Sequence, residues 1–79
     1  MEKIIKVIPL ENGRLQIFTE KGLAGIFDVK PYMQSDFFSE LKDENYFKSV
    51  KSIGCGVAWP NEQDFSSDTI LFDMQAYHK

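Results

Sequence analysis

The side chains that could do chemistry in this chain are few and far apart. Its one thiol, Cys55, lies between Gly54 and Gly56, and its one imidazole belongs to His78, a residue from the C-terminus. A thiolate nucleophile needs a base held beside it, and a histidine in a terminal tail is poorly placed to be one. Cys55 is therefore read as a small, buried strand residue, as free cysteines commonly are. One cysteine and one remote histidine also fall short of the three or four convergent ligands a metal ion needs. Glu40, Asp43-Glu44 and the Glu62-x-Asp64 pair read as solvated carboxylates of turns and helix ends. Gly54-x-Gly56 is not a phosphate loop, because the third glycine and the helix after it are missing and Pro60 intervenes. The residues thus predict no catalytic set, no cofactor and no metal, and the chain is expected not to be an enzyme.

Recognition is the better prospect. Trp59, Asn61, Asp64 and Phe65 place a tryptophan at a strand end beside a polar turn, an arrangement that can anchor a partner. The competing expectation has Trp59 plugging one end of the core while Asn61 and Asp64 bond their own turn and cap the next helix. A second candidate surface is a terminal helix capped by Ser66 or Ser67, whose Ile70, Leu71, Met74 and Tyr77 fall at helical spacing. Any of these four left uncovered by so small a core would form a binding face.

The elements that must hold these residues read as follows. Ile4 to Leu10 is rich in β-branched residues and predicts a strand, with Pro9 either ending it or confining it to a sheet edge. Glu11-Asn12-Gly13 supplies a turn, Arg14 to Thr19 alternates as a second strand, Glu20-Lys21-Gly22 turns again, and Leu23 to Val29 is a third strand. Links this short join antiparallel neighbours, so residues 1–29 predict a three-stranded meander. After Lys30-Pro31 the spacing becomes helical. Ser35 is placed to cap a short helix with Phe37, Phe38 and Leu41, and Asp43 a second turn with Tyr46 and Phe47. Val50 to Ile53 and Val57 to Trp59 read as two short later strands with a glycine turn between them, the second being the last of the sheet. The fold class expected is α+β, a small antiparallel sheet with short helices packed on it, in one compact domain spanning residues 1–79.

Composition narrows the function classes. The chain has 79 residues, 43% hydrophobic content and a net charge of −3, which favours a folded core over disorder. Nine basic residues, one of them arginine, are scattered along the chain rather than gathered on one segment, so no nucleic acid is expected to bind to it alone. No apolar stretch approaches the ~20 residues of a membrane helix. A lone cysteine and the absence of a signal-peptide pattern make a reducing cytoplasm the expected setting.

The order of motifs is also familiar. The hairpin with Leu15, Phe18, Gly22 and Asp28 is followed by Leu41-Lys42-Asp43 with Tyr46-Phe47. Trp59-Pro60-Asn61, Asp64 and Asp68-Thr69-Ile70-Leu71 then complete it. Together they resemble the small bacterial domain-of-unknown-function family DUF-2442 over nearly the whole chain, most specifically in Trp59-Pro60-Asn61 and Asp64. Family members often have glycine after this tripeptide, where this chain has Glu62, and an aromatic after the leucine of the last segment, matched here by Phe72. The resemblance implies a small α+β domain without assigned activity, sometimes encoded beside a second small protein of toxin–antitoxin type. The expected function is a protein-interaction module, the antitoxin-like half of such a two-gene pair, with a small protein encoded nearby as partner. The alternatives are a small-molecule binder or enzyme and a self-associating structural protein, and the oligomeric state stays open.

Overall fold

The computed structural model describes residues 2–77; His78, weighed above as a base for Cys55, lies outside the described residues. Strands β1 (Ile4–Leu10), β2 (Arg14–Thr19) and β3 (Ala24–Asp28) form the antiparallel meander that the two turns require. Asn12 at φ 64° and Gly13 at φ 69° make the first turn, and Gly22 at φ 90° completes the second. Leu15 and Ile17 are fully buried on one face of β2, while Gln16 and Phe18 are half-buried on the other. The Lys6 ammonium lies 5.8 Å from the centre of the Phe18 ring, which gives that outward aromatic a favourable cation above its face.

Past β3 the chain runs through a 3-10 turn, Lys30–Gln34, with Pro31 pre-set for it, and then a second, Ser39–Lys42. Ser35 does not cap a helix over Phe37 and Phe38. Its hydroxyl accepts from the Phe38 N–H at 3.4 Å, the chain then stays in single turns, and Phe37 is left exposed. With so few residues between proline and the next cap there is no room to nucleate a longer helix. Asp43 does cap the one-turn helix α1 (Glu44–Phe47), its carboxylate accepting from the N–H groups of Asn45 and Tyr46.

The later strands form a sheet of their own. β4 (Lys51–Ser52), β5 (Gly56–Ala58) and β6 (Asp64–Ser66) are antiparallel in that order. β6 corrects the expectation that β5 is the last strand. Cys55 is also corrected: it lies exposed in the turn between β4 and β5, not buried in a strand. The turn is closed by Ile53 N–H donating to the Gly56 carbonyl at 2.9 Å and Cys55 N–H to that of Ile53 at 3.0 Å. Its backbone demands leave the Cys55 side chain nothing to pack on.

Ser66 caps helix α2 (Ser67–Asp73), accepting from the Thr69 N–H at 3.2 Å. The helix stops at Asp73, an acidic residue at the end where the macrodipole favours a cation. Met74 is already extended, and β7 (Gln75–Tyr77) adds to β3, giving the first sheet the order β1-β2-β3-β7. Tyr77 therefore belongs to a strand opposite Ala24 and not to the helix with Ile70 and Leu71. Strand pairing wins because β3 offers three residues of open ladder, whereas a further helical turn would expose its backbone for little burial.

One hydrophobic cluster joins the two sheets, from Ile4, Leu15, Ile17 and Phe27 through Leu41 and Phe47 to Val57, Trp59, Phe65 and Ile70. Among the described residues no helix is long and apolar enough to cross a membrane.

Candidate functional site

Residues 59–63 form the loop of the β5–β6 hairpin, and Asp64 and Phe65 open β6. The Glu62 N–H donates to the Trp59 carbonyl at 3.1 Å, closing a turn with Pro60 at its second position, and the Trp59 N–H donates to the Gln63 carbonyl at 2.9 Å. Glu62 takes up φ 78° to make this possible, a left-handed conformation that costs a residue with a side chain. Glu62 is exposed, so little but backbone strain is at stake there. Glu62→Gly is expected to raise stability by about 0.5–1 kcal/mol, less than the full strain because glycine also loosens the unfolded chain. A denaturant midpoint that falls in this variant would contradict the assignment.

Trp59 and Phe65 belong to the hydrophobic core. They are 3% and 5% exposed. The indole N–H donates to the Phe47 carbonyl at 2.9 Å, and Phe65 stands at the centre of a ring cluster. Its centroid is 4.9 Å from both Tyr32 and Phe38, 5.1 Å from Phe27 and 6.0 Å from Trp59. Asn61 and Asp64 are exposed, so the four residues are split between core and surface.

Nor does Asn61 serve its own turn. Its side-chain N–H donates to Glu40 at 2.7 Å, while its backbone N–H donates to the Tyr46 hydroxyl at 2.8 Å. That hydroxyl in turn donates to Gln63 Oε1 at 2.6 Å. Gln63 Nε2 donates to the other Glu40 oxygen at 3.0 Å and to the Phe37 carbonyl at 3.2 Å. Glu40, Tyr46, Asn61 and Gln63 thus form one connected network that buckles the hairpin loop to the helical turns. Gln63, 3% exposed, is its buried member. Sequence reasoning missed it, since a glutamine in a polar loop carries no periodic or turn signal of burial. Gln63→Ala is expected to cost about 1–3 kcal/mol, because the Tyr46 hydroxyl loses its acceptor and the Phe37 carbonyl its donor. Equilibrium unfolding in urea checks this, and a loss below a few tenths would show that water replaces both bonds.

The terminal segment offers less surface than its spacing suggests. Ile70 is fully buried, Met74 is 9% exposed and Leu71 is half-buried against the core, so no apolar stripe remains on α2; Phe72 alone stands out, at 89%. The end of α2 is tied down where the Tyr32 hydroxyl donates to the Asp73 carboxylate. That bond chiefly, then desolvation and the carboxylate's charge, raises the Tyr32 phenol above its ordinary value of about 10. A phenol whose folded-state value is raised stabilises the fold fully below the unfolded value. The contribution is lost as pH rises through the folded one. Wild type should therefore lose stability above pH ~10 more steeply than Tyr32→Phe, read from melts across that window. Parallel curves would remove the bond from the account.

Among the described residues no three His, Cys, Asp or Glu side chains are grouped to hold a metal ion. A cleft of about 480 Å³ lies between the 11–13 turn and the helical turns, with Met33, Leu41 and Phe47 in its lining. No family model matches the chain, and neither a curated protein nor a solved structure does.

Proposed function

We propose that this chain is a non-catalytic protein-interaction module, the antitoxin-like half of a two-gene pair acting in the cytoplasm, and that it meets its partner along the first strand. What supports this is the outer side of β1. It is the outside strand of its sheet, and the bonds recorded on that side all fall at Ile4. The Ile4 N–H donates to the Gly54 carbonyl at 2.8 Å, and the Ser52 hydroxyl donates to the Ile4 carbonyl at 2.5 Å. From Ile5 to Leu10 no further bond reaches outward among the described residues. An unpaired edge of this kind accepts an added strand through its backbone groups.

The Ile4–Gly54 bridge is flanked by Ile5 on one strand and Ile53 on the other, and these two are 61% and 50% exposed. Two residues 48 positions apart thus form an apolar step at the start of the open edge. Lys3, Lys6 and Pro9 restrain indiscriminate pairing there. The resemblance of the Trp59-Pro60-Asn61 region to DUF-2442 directs the search for a partner to the adjacent reading frame. The test is co-expression with that neighbour. Wild type should co-purify with it, and Ile5→Lys with Ile53→Lys should weaken the complex at least about tenfold, the loss of ~1.4 kcal/mol or more from the apolar step. Both positions are exposed, so the melting temperature should hold. A complex indifferent to the double variant would move the contact elsewhere.

A further inference from the structure

The cleft at the far end of β1 has a chemistry of its own. β1 and the second sheet touch at Ile4 and Gly54, and Pro9 and Leu10 at the other end of β1 form one wall of the opening. The floor is apolar: Met33, Leu41 and Phe47 are each less than a tenth exposed, yet all three show a face to the cleft. The rim carries Lys30, Lys42 and Lys48, with Glu11 and Glu44 opposing them, and so stays one charge positive in a chain whose net charge is −3.

Lys30 is built into this rim rather than merely near it. Its ammonium donates to the Asn12 carbonyl at 3.0 Å and lies 3.6 Å from the Asp28 carboxylate. Its stem crosses Gly13 so closely that a Cβ on that glycine would come within 2.9 Å of it, and within 3.0 Å of the Met33 methyl. The turn thus holds the wall and the floor together. Lys42 and Lys48, by contrast, have no carboxylate or carbonyl partner among the described residues.

We propose that this cleft binds a small amphipathic anion, a carboxylate on a short unbranched apolar chain. The chain would lie on Met33, Leu41 and Phe47, and the carboxylate would take the free ammonium groups of Lys42 and Lys48. A volume of about 480 Å³ suits a small molecule of this kind. An apolar floor alone would accept a neutral chain as readily, and lysines alone would hold any anion weakly in water. Only the combination selects a ligand carrying both parts. The site needs no protein partner, so its success or failure is independent of the contact proposed for β1.

The experiment is an NMR titration of the free chain with octanoate, using octanol as the uncharged control and acetate as the headgroup alone. Octanoate should give saturable shifts at the Met33 methyl and at the amides of 41–48, with acetate producing none. Octanol should bind about tenfold more weakly or worse, a difference of about 1.4 kcal/mol, because it lacks the charge that the two ammonium groups would meet. Lys42→Gln with Lys48→Gln should bring octanoate down to the affinity of octanol and leave the affinity for octanol itself unchanged, at an unaltered melting temperature. Shifts centred on Ile5 and Ile53 would overturn the proposal, as would equal binding of octanoate and octanol or no saturable shift with octanoate.

Discussion

Gly56→Ala is expected to destabilise the chain by more than about 3 kcal/mol, at or beyond the usual range for overpacking a core. A Cβ at this position would sit 2.1 Å from the Phe65 carbonyl oxygen and 3.0 Å from both the Phe65 carbonyl carbon and the Ser66 Cα. Those atoms are backbone of the paired strand, where Gly56 stands opposite Ser66, and no rotamer change can move them. To make room, β6 would have to retreat from β5. The Ser67 N–H would then leave the Cys55 carbonyl it meets at 2.7 Å, and Phe65 would leave its ring cluster. A small domain has about 5–15 kcal/mol of stability in all, so this variant should be partly unfolded at ordinary temperature. Urea unfolding followed by circular dichroism measures it; a midpoint equal to that of wild type would mean that β5 and β6 do not approach so closely.

Trp59→Ala should cost roughly 3–5 kcal/mol, the usual loss for truncating a large buried aromatic. The indole gives up its packing on Phe47, at 5.8 Å between centroids, and on Phe65. The Phe47 carbonyl also loses its donor. In wild type the emission of this one tryptophan should shift to the red on unfolding. Native emission already matching free tryptophan would place the residue at the surface and restore it as a recognition anchor.

These two variants bear on how much of the molecule could be read from its residues. The meander was legible because Asn12-Gly13 and Gly22 mark turns with a single backbone meaning, and because Leu15 and Ile17 alternate with Gln16. The caps Asp43 and Ser66 were legible for the same reason, a local bond from a short polar side chain. The segment after Trp59 was not. Asp64-Phe65-Ser66 is too short for its alternation to signal a strand, and its identity depends on Gly56, a neighbour reached only through the hairpin.

Ile70, Leu71, Met74 and Tyr77 share a helical period, but the open ladder of β3 takes the last of them, and no local pattern records that competition. The candidate site divided likewise. Burial of Trp59 followed from its type, whereas the network of Glu40, Tyr46, Asn61 and Gln63 joins residues up to 23 positions apart, with nothing in their spacing to connect them. At Cys55 the two flanking glycines set a turn, and that backbone demand outweighs the usual preference of a free cysteine for burial.

The Trp59–Phe65 hairpin braces the fold, and the contact proposed for this chain falls on the first strand. Amide hydrogen exchange, compared between the free chain and its complex with the co-purified neighbour, tests both halves at once. The expected result is new protection along residues 5–10 and around Ile53, with the amides of 59–65 unchanged between the two states. Protection confined to 59–65 or to the 11–13 turn, or no complex with the neighbour, would contradict it.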